Sequence, residues 1–239
     1  MTPREDHYTY PSPRIKSAGQ PLNARRLSAI ARRMYTNGPF LLCKLQHWRP
    51  YICPFENLVG HVGDGSRVLD VACCAGLLLS LLAGLGPEFE GIGFDVSRQA
   101  IDLAKSMAKG ATATSPKVRL SFERLDINAA WPLGTFDVVF LIDVLHHVPP
   151  TAKRSFLKRV ISKVKPGGLL VYKDMCIDPW WKAQANRLHD LVISRELISY
   201  VPVRTVEDWA NSEGMQVVLR EDMGRFWYGH ELRVMKRSA

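Results

Sequence analysis

Val68-Leu69-Asp70-Val71-Ala72-Cys73-Cys74-Ala75-Gly76 is the stretch that decides the fold. It opens as a short β-rich apolar run, passes through small residues, and is followed at residues 77–85 by a leucine pattern with helical period. Small residues between a strand and a helix let the backbone turn sharply and come close to a ligand. The same alternation continues outward. Gly91-Ile92-Gly93-Phe94-Asp95 predicts a second strand, with a helix over 97–108 near a Ser97 cap. Residues 118–122 predict a third strand. Phe136-Asp137-Val138-Val139-Phe140-Leu141-Ile142 predicts a fourth, apolar almost throughout as a strand covered on both faces should be. An amphipathic helix over 153–164 is closed by Lys165-Pro166-Gly167-Gly168, and a fifth strand follows at 169–172.

Strand and helix therefore alternate from residue 67 to 173, and two late strands near 215–220 and 231–235 complete the set. The expected fold is α/β and Rossmann-like: a mostly parallel seven-stranded sheet with helices on both faces and an N-terminal helical extension. Further helices are expected at 180–198 and 206–213. Ahead of the sheet, residues 1–20 read as a flexible arm and 21–60 as the helical extension, leaving 61–239 for the main domain. Within the extension a break is expected at Asn37-Gly38-Pro39, a turn at Arg49-Pro50-Tyr51-Ile52-Cys53-Pro54, and a helix over 55–61.

With 239 residues, 46% of them hydrophobic and 23% charged, the chain suits one globular domain. Its longest apolar stretch, residues 75–85, falls well short of the roughly 20 residues that span a bilayer. No secretory signal is visible, and the five cysteines, Cys43, Cys53, Cys73, Cys74 and Cys176, form neither a disulfide framework nor a paired zinc spacing. A cytoplasmic protein with reduced thiols and no metal is expected. The formal charge of +9 is concentrated early, where Arg14, Lys16, Arg25, Arg26, Arg32, Arg33, Lys44 and Arg49 meet only Glu5, Asp6 and Glu56 before residue 57. Such a segment suits nucleic acid, an anionic membrane surface, an acidic protein partner, or no partner at all.

Open parallel sheets bind ligands beyond the carboxyl ends of their strands. Asp95 ends the second strand, where a carboxylate can accept two hydrogen bonds from a ribose diol or, alternatively, cap the next helix. Asp126 beside Ile127 can meet an adenine amino group and pack its ring.

In order and spacing, Val68-Leu69-Asp70-Val71-x-Cys73-x-x-Gly76, Gly93-Phe94-Asp95, Asp126-Ile127, Phe136-Asp137-Val138-Val139, Leu145-His146-His147-Val148 and Lys165-Pro166-Gly167-Gly168 resemble the class I S-adenosylmethionine-dependent methyltransferases. The similarity is greatest to the small-molecule branch that includes ubiquinone and menaquinone C-methyltransferases, and it covers roughly residues 60–175. It implies S-adenosylmethionine as cofactor and S-adenosylhomocysteine as product. Asp70 and the loop of Ala72, Cys73, Cys74 and Gly76 would hold the methionine part, Asp95 with Val96 the ribose, and Asp126 with Ile127 the adenine. Leu141, Ile142 and Asp143 would line the methyl-transfer end. The family usually has glycine where this chain has Ala72 and Cys74, which either weakens cofactor binding or is absorbed; a reactive Cys74 thiol at the helix start is a third reading.

Transfer to a hydroxyl or an acidic carbon also needs a base, for which His146, His147 and Asp143 are the candidates. Aromatic residues outside the cofactor core suit an apolar acceptor wall: Tyr35, Phe40, Trp48 and Tyr51 early, then Trp180, Trp181, Tyr200, Phe226, Trp227 and Tyr228. The expected acceptor is therefore a small lipid-like or polyketide-like molecule, free or presented on an acidic carrier protein. The competing readings are an RNA-directed methyltransferase, which the pI of about 9.5 favours, and a non-catalytic nucleoside-binding protein. Against the first, the chain has no Asn-Pro-Pro-Tyr tetrad and no RNA-binding module.

Overall fold

Strands that are apolar on both sides must be covered on both faces, and the centre of the sheet meets that condition. The computed structural model describes residues 21–114, 117–175, 199–225 and 228–239. In it β1 (Ser66–Val71) pairs in parallel with β2 (Phe89–Asp95) on one side and β4 (Phe136–Ile142) on the other. β3 (Val118–Arg124) lies beyond β2, and β5 (Val164–Met175) beyond β4, both parallel. β7 (Tyr228–Arg237) then runs antiparallel to β5, and β6 (Met215–Arg225) antiparallel to β7, giving the order β3-β2-β1-β4-β5-β7-β6. The expected seven-stranded, mostly parallel sheet is present.

The period of two divides the core into two layers. Val68, Val138 and Phe140 point to one face with α1 (Ala24–Met34), α4 (Leu77–Leu85) and α5 (Arg98–Thr114). Leu69, Val71, Val139 and Leu141 point to the other, with α6 (Lys153–Ser162) and α7 (Val203–Ser212). The first turns of α4 are apolar except for Ser80, and every residue from Leu77 to Ala83 is buried, as expected of a helix enclosed between sheet and a second helical layer. That second layer is α1, which crosses so near that a Cβ on Gly84 would collide with the Ile30 side chain.

The segment expected as an extension is therefore part of the main core: Leu27, Ile30 and Ala31 share one cluster with Val68 and Leu79. A second difference concerns the turn expected at Arg49-Pro50. Instead α2 (Phe40–Ile52) runs straight through Pro50 and is followed by the short α3 (Phe55–Leu58). Proline removes one N–H and crowds the preceding turn, but here it sits close to the helix end, where only the last residues depend on it. Cys53 still closes the helix by donating to Arg49 O at 2.8 Å. The consequence is functional, because a helix rather than a turn now aims Arg49 at the carboxyl end of the sheet.

Candidate active site

The loop after β1 holds two residues in a conformation that favours glycine. Ala72 has φ +55° and Cys74 +51°, beside Gly76 at +73°. These are two of the positions where the family usually has glycine, so the backbone path is kept while a Cβ is carried through it. A left-handed residue with a Cβ costs about 1–2 kcal/mol, partly offset because glycine is freer in the unfolded chain. Ala72→Gly and Cys74→Gly are each expected to raise stability by roughly 0.5–1 kcal/mol in urea unfolding, against the usual loss on inserting glycine. A loss at both positions would mean that the left-handed turn is not strained. Gly76 is different: a Cβ there would lie 2.6 Å from the Phe122 ring.

Asp95 organises this loop. Its Oδ2 accepts the Cys74 N–H at 2.8 Å and its Oδ1 accepts the Ser97 N–H at 2.8 Å. The carboxylate is thus anchored through one bond on each oxygen, half-buried, with lone pairs left for a diol. The helix-cap alternative is met in part, since Ser97 itself caps the next turn through Ala100 N–H. Val96 is exposed and passes its carbonyl to Arg124. Asp126 is exposed at the neighbouring strand end, its Oδ1 accepting Asn128 N–H at 2.8 Å, and Ile127 is half-buried beside it. Leu141 is fully buried in the core on the other face, so the cavity wall falls to Ile142.

Asp70 lies beneath the loop, 4% exposed. Burial pushes its carboxyl up to about 8, with Asp95 adding to the rise and Arg49 opposing it. Between about pH 4, the ordinary aspartate value, and pH 8 the unfolded chain gives up this proton while the folded chain keeps it. The contribution of Asp70 to stability is therefore full below pH 4 and falls as pH rises to 8. Across that window wild type should lose stability relative to Asp70→Asn by up to about 1.4 kcal/mol per pH unit. Parallel urea titrations at several pH values would show this, and a constant gap would contradict it.

The far end of the cavity is charged. Arg49, Phe55, Asp70, Ala72, Cys73, Cys74 and Ile142 enclose only about 30 Å³, room for roughly one water molecule. Arg49 Nη2 stands 3.9 Å from Asp143 Oδ2, and the fully buried Lys173 Nζ is 2.5 Å from Asp143 Oδ1. Burial tends to raise the Asp143 carboxyl, but Lys173 and Arg49 outweigh it and hold it below the usual range. Asp143, one of the candidate bases, thus pairs with two cations, which weakens it as a proton acceptor. It does so from a left-handed backbone at φ +55°.

The two candidate histidines are separated by the fold. His146 is buried, and its Nδ1 lies 2.5 Å from Asp174 Oδ1, while Tyr172 OH donates to Asp174 Oδ2 at 3.4 Å. His147 is exposed, its ring tilted against that of His146 with ring centres 4.1 Å apart. Tyr200 packs on the other histidine at 5.7 Å. Strand register links this pair to the cofactor loop: β1 neighbours β4, and Ile142 is paired with Lys173, one residue before Asp174. Asp174 lies twenty-eight residues after His146, so no local sequence signal announces their pairing.

Of the expected acceptor wall, Tyr35 is buried and spends its hydroxyl on Ala75 O at 2.8 Å, and Phe40 and Trp48 face outward. Tyr51 lines an open groove of about 550 Å³ with Pro54, Asn57, Met223, Gly224 and Arg225, and Tyr200 packs on His146. Trp180, Trp181, Phe226, Trp227, the Tyr228 side chain, Cys176, the arm 1–20 and the helix expected at 180–198 lie outside the described residues. Among the described residues, no group of His, Cys, Asp or Glu side chains converges in a way that would hold a metal ion.

With a carboxylate at the end of β2, a left-handed loop after β1 and this strand order in place, comparison with known proteins is decisive. A family model described as a methyltransferase domain matches residues 44–219. The chain belongs to the class I S-adenosylmethionine-dependent methyltransferases. Among relatives of this chain, the ubiquinone biosynthesis O-methyltransferase of Albidiferax ferrireducens is 31% identical over 132 residues, covering 55% of this chain and 47% of that one. The mitochondrial ubiquinone biosynthesis O-methyltransferase of Schizosaccharomyces pombe is 29% identical over 160 residues, 66% of this chain and 54% of that one. The chain thus spans about half the length of these relatives. They are O-methyltransferases of ubiquinone biosynthesis, in keeping with the small-molecule branch that the motifs resemble. Among solved structures, an O-methyltransferase family protein from Burkholderia thailandensis superposes with a TM-score of 0.66 at 22% identity, covering 82% of this chain and 59% of that one. Magnesium protoporphyrin IX methyltransferase from Synechocystis, solved with bound S-adenosylhomocysteine, gives 0.63 at 19% identity, covering 88% and 93%. At such identities these two likenesses speak for the fold.

Proposed function

We propose that the chain transfers a methyl group from S-adenosylmethionine to an oxygen or carbon of a small, apolar, lipid-like or polyketide-like acceptor, free or carrier-bound, with His146 as the base. The buried His146–Asp174 pair carries this reading. When bound, the cofactor supplies an electrophilic methyl on a sulfonium whose departure needs no acid.

The residues present fit such a cofactor by their chemistry. Asp95 offers acceptors for two ribose hydroxyls, Asp126 and Ile127 an edge and a flat wall for adenine, and Asp70 a buried carboxyl whose ionised form an ammonium beside it would favour. Arg49 is the cation within reach of a carboxylate, and its side chain must shift to admit one, since the cavity holds about 30 Å³. Asp174 holds the His146 ring in one tautomer, with Nε2 the nitrogen that would take a proton from an acceptor hydroxyl. Lys173 and Arg49 supply positive charge that favours a developing oxyanion at this end of the sheet. The O-methylating relatives make oxygen the first atom to test.

The test is methyl transfer from labelled S-adenosylmethionine to three acceptors: an alkylated catechol, an alkylated 1,3-dicarbonyl compound and bulk RNA. Label on the catechol or the dicarbonyl supports the reading and distinguishes oxygen from carbon. Label on RNA alone would overturn it, and cofactor binding without transfer to any of them would favour a non-catalytic role.

A further inference from the structure

The first two helices present a surface that the active site does not use. On α2 the side chains of Phe40, Leu41, Leu45 and Trp48 are 70%, 79%, 46% and 58% exposed. Leu41, Leu45 and Trp48 follow the i, i+4, i+7 spacing of one helix face, and Lys44 lies in the same stripe with its ammonium 5.3 Å above the Phe40 ring. Large apolar side chains clustered in the open are unusual in a stable monomer and mark a surface that meets something.

The charge around the stripe says what. Residues 21–52 contain Arg25, Arg26, Arg32, Arg33, Lys44 and Arg49 and not one aspartate or glutamate. Arg25, Arg32, Arg33 and Lys44 are exposed. The two helices share one cationic field: Ser28 of α1 donates to His47 O of α2 at 2.8 Å, and both Arg32 and Lys44 help to hold the His47 imidazole neutral, after burial.

We infer that the α1–α2 surface, through Phe40, Leu41, Leu45 and Trp48 with Arg25, Arg32, Arg33 and Lys44, docks on an anionic lipid bilayer. The docking is interfacial, as no helix among the described residues is long and apolar enough to cross a membrane. An amphipathic helix with aromatic and leucine residues on one side and cations at its border lies in the headgroup plane, its apolar side in the acyl boundary. Each cation near an anionic surface adds about fivefold to partitioning. Nucleic acid would use the cations but leave the four apolar side chains in water. A second copy would bring one acid-free cationic surface against another, which like-charge repulsion opposes. An acidic protein would need its own apolar patch to match a convex helix face.

The placement also has a use. Trp48 packs on Tyr51 with ring centres 5.6 Å apart, and Tyr51 lines the open groove with Met223 and Arg225. The docked stripe is thus continuous with the groove mouth, so that an acceptor dissolved in the bilayer could enter without crossing water. The docking itself stands whether or not the acceptor reading holds.

Co-sedimentation of the full chain with phosphatidylcholine vesicles, with and without phosphatidylglycerol, at low and high salt tests the inference. Wild type is expected to sediment with the anionic vesicles at low salt, to release at high salt, and to ignore pure phosphatidylcholine. Leu41→Glu with Leu45→Glu should lose at least tenfold in partitioning while its melting curve and S-adenosylmethionine affinity stay as in wild type. Arg32→Gln with Lys44→Gln should lose about 25-fold, two cations' worth. No sedimentation of wild type with anionic vesicles, or equal sedimentation of the Leu41→Glu, Leu45→Glu protein, would overturn it. So would light scattering that shows a dimer which Leu45→Glu dissociates, since the stripe would then belong to a second copy.

Discussion

Replacing Asp95 with alanine is expected to raise the Kd for S-adenosylmethionine by about two orders of magnitude or more. Two hydrogen bonds to a carboxylate are at stake, each worth about 1.5–3 kcal/mol when the acceptor is ionised. Their sum of about 3–6 kcal/mol corresponds to roughly 10²–10⁴ in affinity. Alanine also strips the Cys74 and Ser97 N–H groups of their acceptor, so the loop that should face the methionine part loosens at the same time. Asp95→Asn separates the two effects. Its amide keeps one oxygen for Cys74 N–H but cannot accept at both positions, so its affinity should fall between wild type and alanine. Calorimetric titration of the three proteins, with far-UV circular dichroism to confirm the fold, reads the series. An alanine variant within tenfold of wild type would remove Asp95 from the cofactor site.

The second large effect is on turnover. His146→Ala should lower kcat by roughly 10²–10⁴, the usual worth of a positioned base, and leave the cofactor Kd unchanged. Asp174→Asn should follow in the same direction, because an amide can present an N–H to Nδ1 and favour the wrong tautomer. His147→Ala should remain within a few-fold of wild type, its ring being exposed. The rising limb of kcat/KM against pH that reports the histidine should flatten in His146→Ala and persist in His147→Ala. A merely structural His146 would lower the melting temperature and leave that limb in place. Should His147→Ala be the more damaging change, the roles of the two are reversed.

What could be read from the sequence divides along a physical line. Strand ends were legible because Asp70, Asp95 and Asp126 follow short apolar runs, and local periodicity determines where those runs stop. Contacts made across the sheet were not. Nothing near Asp143 in the chain announces Lys173, thirty residues later, yet that ion pair weakens a candidate base as a proton acceptor. The same holds for His146 and Asp174, whose pairing depends on β4 and β5 being neighbours. Arg49 was missed for a local reason: Pro50 reads as a turn, whereas the last helical turn tolerates it. Leu141 and Ile142 differ only in which face of β4 they occupy, a one-residue matter that the nearly continuous apolar run conceals.

The sheet order has a consequence for how the molecule is made. β6 precedes β7 in the chain but lies outside it, so when residues 215–225 leave the ribosome they have no strand to join. Until 228–237 emerge, β5 keeps a bare edge, and that edge carries Tyr172, Lys173 and Asp174. Unpaired strand edges in partly made chains invite association with the wrong partner. A nascent chain stalled before residue 228 should therefore be open to proteases and to chaperones at its active-site edge. Seen this way β7 is the latch of the fold, and shortening it would unfasten two strands at once.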